Sequence, residues 1–171
     1  MIFNLKNISC IYSNSVNPVL KINNLEINQG EIVFIIGASG VGKSTILETL
    51  GVMNETIKSE EDSVFEFSFE NTKENMLGFW KKKESEQADF RKKYLSFIFQ
   101  NTNLFQNLNA EDNVLIAPLL QGDDIIMSKN KSRKIFKQIF TKEYSEILND
   151  KKISEMSGGQ RQRLAFVRAI S

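Results

Sequence analysis

The chain has 171 residues, of which 41% are apolar and 25% charged, and these proportions exclude a disordered or fibrous protein. Lys and Arg number 22 against 21 Asp and Glu, so the net charge of +1 gives no electrostatic reason to expect a nucleic-acid partner. The absence of histidine excludes Ser-His and Cys-His catalysis and every imidazole metal site within the chain. Cys10 is the single cysteine, so no internal disulfide can form and a reducing compartment is expected.

The apolar segments are too short to cross a bilayer. The longest runs, residues 32–36 and 114–120, fall well below the ~20 residues that a spanning helix needs. Asn4 and Lys6 interrupt the N-terminus where a signal peptide requires an apolar stretch. We therefore expect a cytoplasmic protein without direct membrane insertion, which reaches the membrane only through a partner.

The first third of the chain has the pattern of strands around a glycine-rich turn. Alternation at Phe3 and Leu5 predicts a half-buried strand, and residues 19–27 continue in an extended pattern. Residues 32–36 form a continuous apolar, largely β-branched run, which predicts a strand buried on both faces of a parallel sheet. A helix is predicted at residues 44–50, so this region is the start of a βαβ unit.

The middle of the chain predicts two further strands. Residues 64–69 alternate, with Phe65, Phe67 and Phe69 on one face, and residues 95–99 form a short apolar strand. Acidic and basic residues interleave through residues 72–93, which favours a solvated helix face over a binding patch.

Beyond Asn109 the pattern becomes helical. Helices are predicted at residues 113–120, 129–140 and 143–148, with Pro118 kinking or ending the first. The predicted fold class is therefore α/β with an inserted helical lobe at about residues 101–156.

The strongest motif is a P-loop with the pattern G-x-x-x-x-G-K-[ST], between a predicted strand and a predicted helix. Its residues are Gly37, Ala38, Ser39, Gly40, Val41, Gly42, Lys43, Ser44 and Thr45. Glycines let the backbone wrap closely around a phosphate with its N–H groups pointing inward. Lys43 would reach the β- and γ-phosphates, and Ser44 would ligate Mg²⁺.

A second anion-binding pattern follows 114 residues after Lys43. Ser157, Gly158, Gly159 and Gln160 open an arginine-rich helix. A hydroxyl and free backbone N–H groups then lie at the positive end of that helix.

With both motifs, the sequence resembles the ATP-binding subunits of ABC transporters over nearly its whole length. Residues 37–45 are similar to the Walker A motif of that family, and residues 156–160 to its signature, with Met156 in place of the usual leucine. The stretch 89–114 is most similar to the branch of lipoprotein-releasing, macrolide-exporting and cell-division subunits. The resemblance implies a P-loop NTPase fold of the ABC type, with ATP and Mg²⁺ as cofactors.

The resemblance also assigns roles to individual residues. Gln100 matches the family's Q-loop, which implies that it ligates Mg²⁺ or positions the attacking water. Tyr12 stands where such proteins place an aromatic ring that stacks on adenine, although a packed loop tyrosine is the alternative. The resemblance implies that Ser157–Gln160 contact the nucleotide in trans, across a homodimer or a pair of ATP-binding subunits, and that a membrane-spanning permease is the further partner.

The features that we do not find are the Walker B carboxylates and a switch histidine. No apolar run of suitable length ends in Asp-Glu, and residues 119–124 have the wrong order. We therefore expect one incomplete nucleotide-binding domain over residues 1–171, with its α/β core at 1–100 and 157–171 and the C-terminal part of the core sheet missing. An ATPase that drives transport in the complete dimer and a nucleotide-binding module that does not hydrolyse ATP both remain open.

Family strand order makes a prediction about the sheet. Two strands that are not found in this sequence would lie between residues 32–36 and 95–99, which places those two strands about 14 Å apart at ~4.8 Å per spacing. The alternative is that the two strands collapse together and pair.

Overall fold

The computed structural model of the chain describes residues 1–149 and 151–171, and these form two compact units, Met1–Arg91 and Lys92–Ser171. The first unit is mixed α/β and most of the second is helical. The elements of the first unit are strands β1 (Phe3–Cys10) and β2 (Leu20–Ile27), helix α1 (Lys43–Leu50), strands β3 (Ile57–Phe69) and β4 (Thr72–Asn75), a 3-10 helix (Met76–Lys81) and helix α2 (Glu84–Tyr94). Helix α2 ends three residues past Arg91.

The sheet of the first unit has the order β2-β1-β3-β4, and every neighbouring pair is antiparallel. Leu5 lies at the centre, opposite Leu25 on β2 and Phe65 on β3. The register between β1 and β3 shifts after Lys6, where Asn7 has a positive φ of 50°. The Asn7 carbonyl there accepts a hydrogen bond from the Ser63 hydroxyl.

Phenylalanines cover one face of this sheet. Phe65 and Phe67 are buried as the alternation predicts, and Phe69 is half-buried. The Phe67 and Phe90 ring centroids lie 4.9 Å apart, and those of Phe79 and Phe90 lie 4.8 Å apart, so the 3-10 helix and α2 close over the sheet. The prediction of a solvated helix throughout residues 72–93 is correct for α2 but wrong at its start, where β4 pairs with β3.

Residues 32–36 are not the buried strand that their composition predicts. The structure assigns no strand to residues 31–38, and Ile32, Phe34 and Ile36 are 82, 80 and 91% exposed. A strand exists only where neighbouring strands bond its backbone, and the four strands of this sheet pair with one another in antiparallel order. The prediction is wrong because β-branched residues favour a strand but do not supply the neighbouring strand with which it must pair.

Residues 95–99 also form no strand. Phe97 and Phe99 contact each other, with ring centroids 4.8 Å apart, and Ile98 and Phe99 are each 42% exposed. Since neither predicted strand forms, the predicted spacing between them does not apply to this structure.

The helices of the second unit confirm the helical pattern. They are α3 (Ala110–Gln121), α4 (Ile125–Phe140), α5 (Tyr144–Asn149) and α6 (Gly158–Ile170), with short 3-10 helices at Thr141–Glu143 and Ile153–Glu155. Pro118 lies inside α3 without ending it, and the helix continues to Gln121. The apolar faces meet in one core of Leu104, Ala110, Val114, Phe136, Phe140, Ile147, Ile153, Met156, Leu164, Ala165 and Val167. Helix α6 packs against α3 and α4.

No helix within the described residues is long and apolar enough to cross a membrane. The predicted domain boundaries at residues 100, 101 and 157 stay a prediction.

Candidate functional site

Helix α1 begins without a side-chain cap. Its N-cap residue is Gly42, which has φ 96° and offers no side-chain acceptor. By contrast, Asn109, Asp124 and Ser157 cap α3, α4 and α6 with side-chain oxygens. The first-turn N–H groups of α1 therefore lack the acceptor that those three helices have, and an external anion can supply it.

Close packing explains why glycine stands at position 42. A β-carbon there would lie 3.3 Å from both the Leu20 Cβ and the Val19 carbonyl oxygen. Gly40 also has a positive φ, of 81°. Glycine at both positions lets the loop turn sharply into the helix.

Lys43 is hydrogen-bonded to the backbone of its own loop. Its ammonium donates to the carbonyls of Gly37 at 2.9 Å and Ala38 at 2.6 Å. These acceptors are neutral, so a phosphate can compete for the same ammonium with a stronger, charge-assisted hydrogen bond. Next to it, Ser44 is exposed, whereas Thr45 is buried.

Tyr12 is joined to the P-loop helix by its hydroxyl. The Tyr12 oxygen lies 3.1 Å from the Thr45 Oγ1. One turn later Thr49 reaches the Cys10 Sγ at 3.7 Å and the Thr56 Oγ1 at 3.4 Å, so polar contacts link α1 to β1 and to the residue that precedes β3. Both the ring of Tyr12 and the start of α1 are thus fixed relative to the sheet.

The second motif forms a capping box. The Ser157 Oγ accepts from the Gln160 N–H at 3.2 Å, and the Gln160 Oε1 accepts from the Ser157 N–H at 2.9 Å. Since the Ser157 oxygen accepts in this box, its own proton can still be donated to an anion. A β-carbon at Gly158 or Gly159 would meet nothing within 4 Å, so packing of this chain does not explain the two glycines.

Glu143 is a residue that sequence reasoning missed. It accepts from the Gln160 Nε2 at 3.3 Å and from an Arg163 guanidinium nitrogen at 2.5 Å. Gln160 is therefore buried, with both ends of its amide bonded within the chain. No local sequence pattern indicates the contact of Glu143 with Gln160, because the two residues are 17 positions apart.

Gln100 begins an exposed turn in which the Thr102 N–H donates to the Phe99 carbonyl at 2.9 Å. Gln100 and the capping box lie in the second unit, and Tyr12 and residues 37–45 in the first. The described residues contain no group of three or more His, Cys, Asp or Glu that could hold a metal.

Comparison with known proteins decides the family. The sequence profile of the ABC transporter family matches residues 20–171, which is most of the chain. The chain belongs to the ABC transporter family.

Several relatives of the family come from export and lipoprotein-release systems. The chain is 34% identical to a bacitracin export ATP-binding protein of Halalkalibacterium halodurans, over 96% of this chain and 60% of that protein. It is 33% identical to a lipoprotein-releasing system ATP-binding protein of Bacteroides fragilis, over 89% of this chain and 63% of that protein. A macrolide export ATP-binding/permease protein of Campylobacter jejuni is 35% identical over 90% of this chain and 22% of its own length. The chain thus spans less than two thirds of each of these relatives.

The fold agrees with this family. A dimeric structure of the bacterial ABC transporter cassette MJ0796 superposes with a TM-score of 0.76 at 28% identity, over 99% of this chain and 69% of the cassette. A second structure of that cassette, with the same TM-score, is bound to ADP and phosphate. The predicted fold class and the predicted resemblance are confirmed, whereas the roles of the individual site residues stay predictions.

Proposed function

We propose that this chain binds ATP with Mg²⁺ through its P-loop. The uncapped N-terminus of α1, with the Lys43 ammonium held by two neutral carbonyls, is the observation that supports this most directly. A triphosphate fits both features. Its oxygens would accept hydrogen bonds from the first-turn N–H groups, and its negative charge would attract the Lys43 ammonium. Bound Mg²⁺ would neutralise part of the phosphate charge and polarise the γ-phosphate.

Within this proposal the metal ligands are Ser44 and Gln100. Both carry oxygens, the ligand atoms that Mg²⁺ prefers, and Mg²⁺ commonly keeps several waters alongside one or two protein ligands. Both residues are exposed, so neither has to leave a packed environment to reach a ligand. Tyr12 would stack its ring on the adenine, with its hydroxyl on Thr45 fixing the ring's position.

The capping box at Ser157 is proposed to act on a nucleotide bound to a second subunit. The hydroxyl proton of Ser157 and the N–H groups of Gly158 and Gly159 would bind the γ-phosphate, and the space around the two glycines admits its close approach. The partner is a second copy of this chain or a paired ATP-binding subunit. The dimeric cassette with the same fold supports this arrangement.

We further propose that nucleotide binding and hydrolysis in the complete dimeric protein drive transport through a membrane-spanning permease, with the protein peripheral on the inner face of the cell membrane. The names of the relatives, which include a bacitracin export protein, a lipoprotein-releasing protein and a fused ATP-binding/permease protein, support this proposal. Residues 1–171 alone would bind nucleotide but turn it over slowly, because a positioned general base contributes about 10²–10⁴-fold and the sequence offers no Asp-Glu pair after an apolar run.

Titration with a fluorescent ATP analogue tests nucleotide binding. Lys43→Ala should weaken binding by about 10–100-fold, the equivalent of a lost charge-assisted hydrogen bond of about 1.5–3 kcal/mol. Lys21→Ala is the matched control, since Lys21 is an exposed lysine on β2 of the same unit. Equal affinity in the wild type, Lys21→Ala and Lys43→Ala proteins would overturn the P-loop assignment.

A further inference from the structure

The backbone after Gln100 turns through two consecutive left-handed residues. Thr102 has φ 48° and Asn103 has φ 46°. Asparagine tolerates this region, but a β-branched threonine is an outlier there and needs support from its surroundings. The turn that carries Gln100 is therefore a conformation that other residues must hold.

Arg168 supplies that support. One guanidinium nitrogen donates to the Asn103 carbonyl at 2.8 Å, and another donates to the Thr102 carbonyl at 2.7 Å. Both left-handed residues are thus held by the two arms of one planar group, whose fork geometry suits two acceptors at once.

The same end of α6 also contacts the chain before Gln100. The Ser96 hydroxyl donates to the Ala169 carbonyl at 2.7 Å. Both sides of Gln100 are therefore hydrogen-bonded to residues 168 and 169, which belong to the last turn of α6. The first turn of that helix carries the glycines of the signature motif.

A second residue holds the chain further along. Asn113 is fully buried, accepts from the Phe105 N–H at 2.8 Å and donates to the Phe105 carbonyl at 3.0 Å. Residues downstream of the turn are thus anchored separately, and Arg168 is the side chain that bonds the carbonyls of Thr102 and Asn103.

The charge environment of Arg168 fits a positioning role. Its ion-pair partners would be carboxylates, and none contacts it among the residues that the structure describes. Burial lowers the pKa of its guanidinium, so the group is partly desolvated while it bonds neutral carbonyls. A surface arginine kept only for solubility would stay in water.

We propose that Arg168 is a positioning residue that holds the Gln100 turn in place from the last turn of the signature helix. The consequence of this role rests on the proposed function. By fixing the turn, Arg168 keeps the Gln100 amide in place to ligate the Mg²⁺ of the bound nucleotide.

The first test measures the turn itself. A nitroxide label is attached at Asn101→Cys in a Cys10→Ser background, because Asn101 is exposed beside Gln100 and Cys10 is the only other cysteine. Arg168→Gln should raise the mobility of the label in the electron paramagnetic resonance spectrum, and Arg168→Lys, which cannot bond two carbonyls as a planar fork, should give an intermediate spectrum.

Arg91→Gln is the matched control. Arg91 also donates to the carbonyl of a left-handed residue, Val52 with φ 52°, at 3.1 Å, but it does so in the first unit. This control should leave the spectrum at position 101 unchanged. Circular dichroism confirms that each variant keeps its helices.

The second test measures the consequence at the metal. Affinity for a fluorescent ATP analogue is measured with Mg²⁺ and with EDTA. Arg168→Gln should lose the Mg²⁺-dependent part of the affinity and keep the metal-free part, Gln100→Ala should do the same, and the double variant should lose no more than either.

The outcomes separate the inference from the function on which it rests. An unchanged label spectrum in folded Arg168→Gln and Arg168→Lys proteins would overturn the positioning role. A mobile label together with an unchanged Mg²⁺ effect would overturn its consequence at the metal. A wild-type chain that binds no nucleotide would instead overturn the proposed function, while the label spectra would still decide whether Arg168 holds the turn.

Discussion

At the residue scale, the candidate site depends on side chains with two tasks. Lys43 donates to the carbonyls of Gly37 and Ala38 in its own loop, and the same ammonium is proposed to bind phosphate. Ser157 accepts a hydrogen bond in its capping box while its proton stays free to donate. The Tyr12 hydroxyl is bonded to the Thr45 Oγ1, and its ring is proposed to stack on adenine. In each case the observed contacts hold the residue, and the contact with nucleotide is the proposed second task.

Tyr12 allows the ring and the hydroxyl to be tested separately. Tyr12→Ala removes the stacking platform and should weaken ATP binding by the equivalent of about 1–3 kcal/mol, whereas Tyr12→Phe keeps the ring and should lose much less. Isothermal titration calorimetry with ATP measures both. Tripolyphosphate, which has no adenine, should bind the wild-type and Tyr12→Ala proteins alike; if its binding falls equally, Tyr12 supports the loop and does not contact the base.

Sequence reasoning found these residues because motifs are local. The candidate phosphate-binding residues lie in two short segments, residues 37–45 and 157–160, so a sequence pattern can identify them. Glu143 and Arg168 were missed because their partners lie 17 and 65 or more residues away. Arg168 is one of several arginines in its helix, so the sequence does not show which of them makes a tertiary contact.

At the element scale, the helices of the second unit follow their sequence because their signals are local. An Asn cap, acidic residues in the first turn and a left-handed glycine at the end define α3. Glu111 in that first turn also bonds Lys129 at 2.7 Å and Arg133 at 2.5 Å on α4, and thus joins the two helices.

Glu111 predicts a pH dependence of stability. Burial raises its pKa most strongly, but hydrogen bonds from Lys129 and Arg133 outweigh this and hold the pKa below its ordinary value. Because the folded-state pKa is lowered, the stabilisation is present above the unfolded-state pKa and is lost as the pH falls through the folded-state pKa.

Urea unfolding followed by the helical circular dichroism signal measures this contribution. Glu111→Gln should lower the free energy of unfolding by about 1–2 kcal/mol at pH 7, and the difference from wild type should shrink as the pH falls through the lowered folded-state pKa of Glu111. Glu146→Gln is the control, because the Glu146 side chain is 59% exposed in its pair with Lys151, and should cost less than about 0.5 kcal/mol. A Glu111→Gln difference that is constant with pH would contradict the ion-pair explanation.

Two helix caps distinguish stability from recognition. Ser157→Ala and Asn109→Ala each remove one side-chain cap, at α6 and α3, and each should cost about 0.5–2 kcal/mol of stability. Only Ser157→Ala should also weaken ATP-dependent self-association, measured by analytical ultracentrifugation with and without ATP. Equal ATP-dependent self-association of the two variants would show that Ser157 acts only as a helix cap.

At the scale of the whole molecule, the family and the fold were predictable, but the strands at residues 32–36 and 95–99 were not. Helices form from contacts three and four residues apart, whereas a parallel strand needs partners that are distant in sequence. Residues 32–36 have the composition of a central strand, yet Ile32, Phe34 and Ile36 lie exposed beside the P-loop. The chain covers 69% of the cassette that it resembles in structure, so the match concerns that part of the fold.

The central claim is that ATP phosphates bind at the uncapped N-terminus of α1, and amide chemical shifts of the ¹⁵N-labelled chain test it most directly. ATP with Mg²⁺ should shift the backbone N–H signals of residues 40–45, and adenosine, which has no phosphate, should leave them in place. ATP-induced shifts confined to other parts of the chain, with the signals of residues 40–45 unchanged at saturation, would contradict the account.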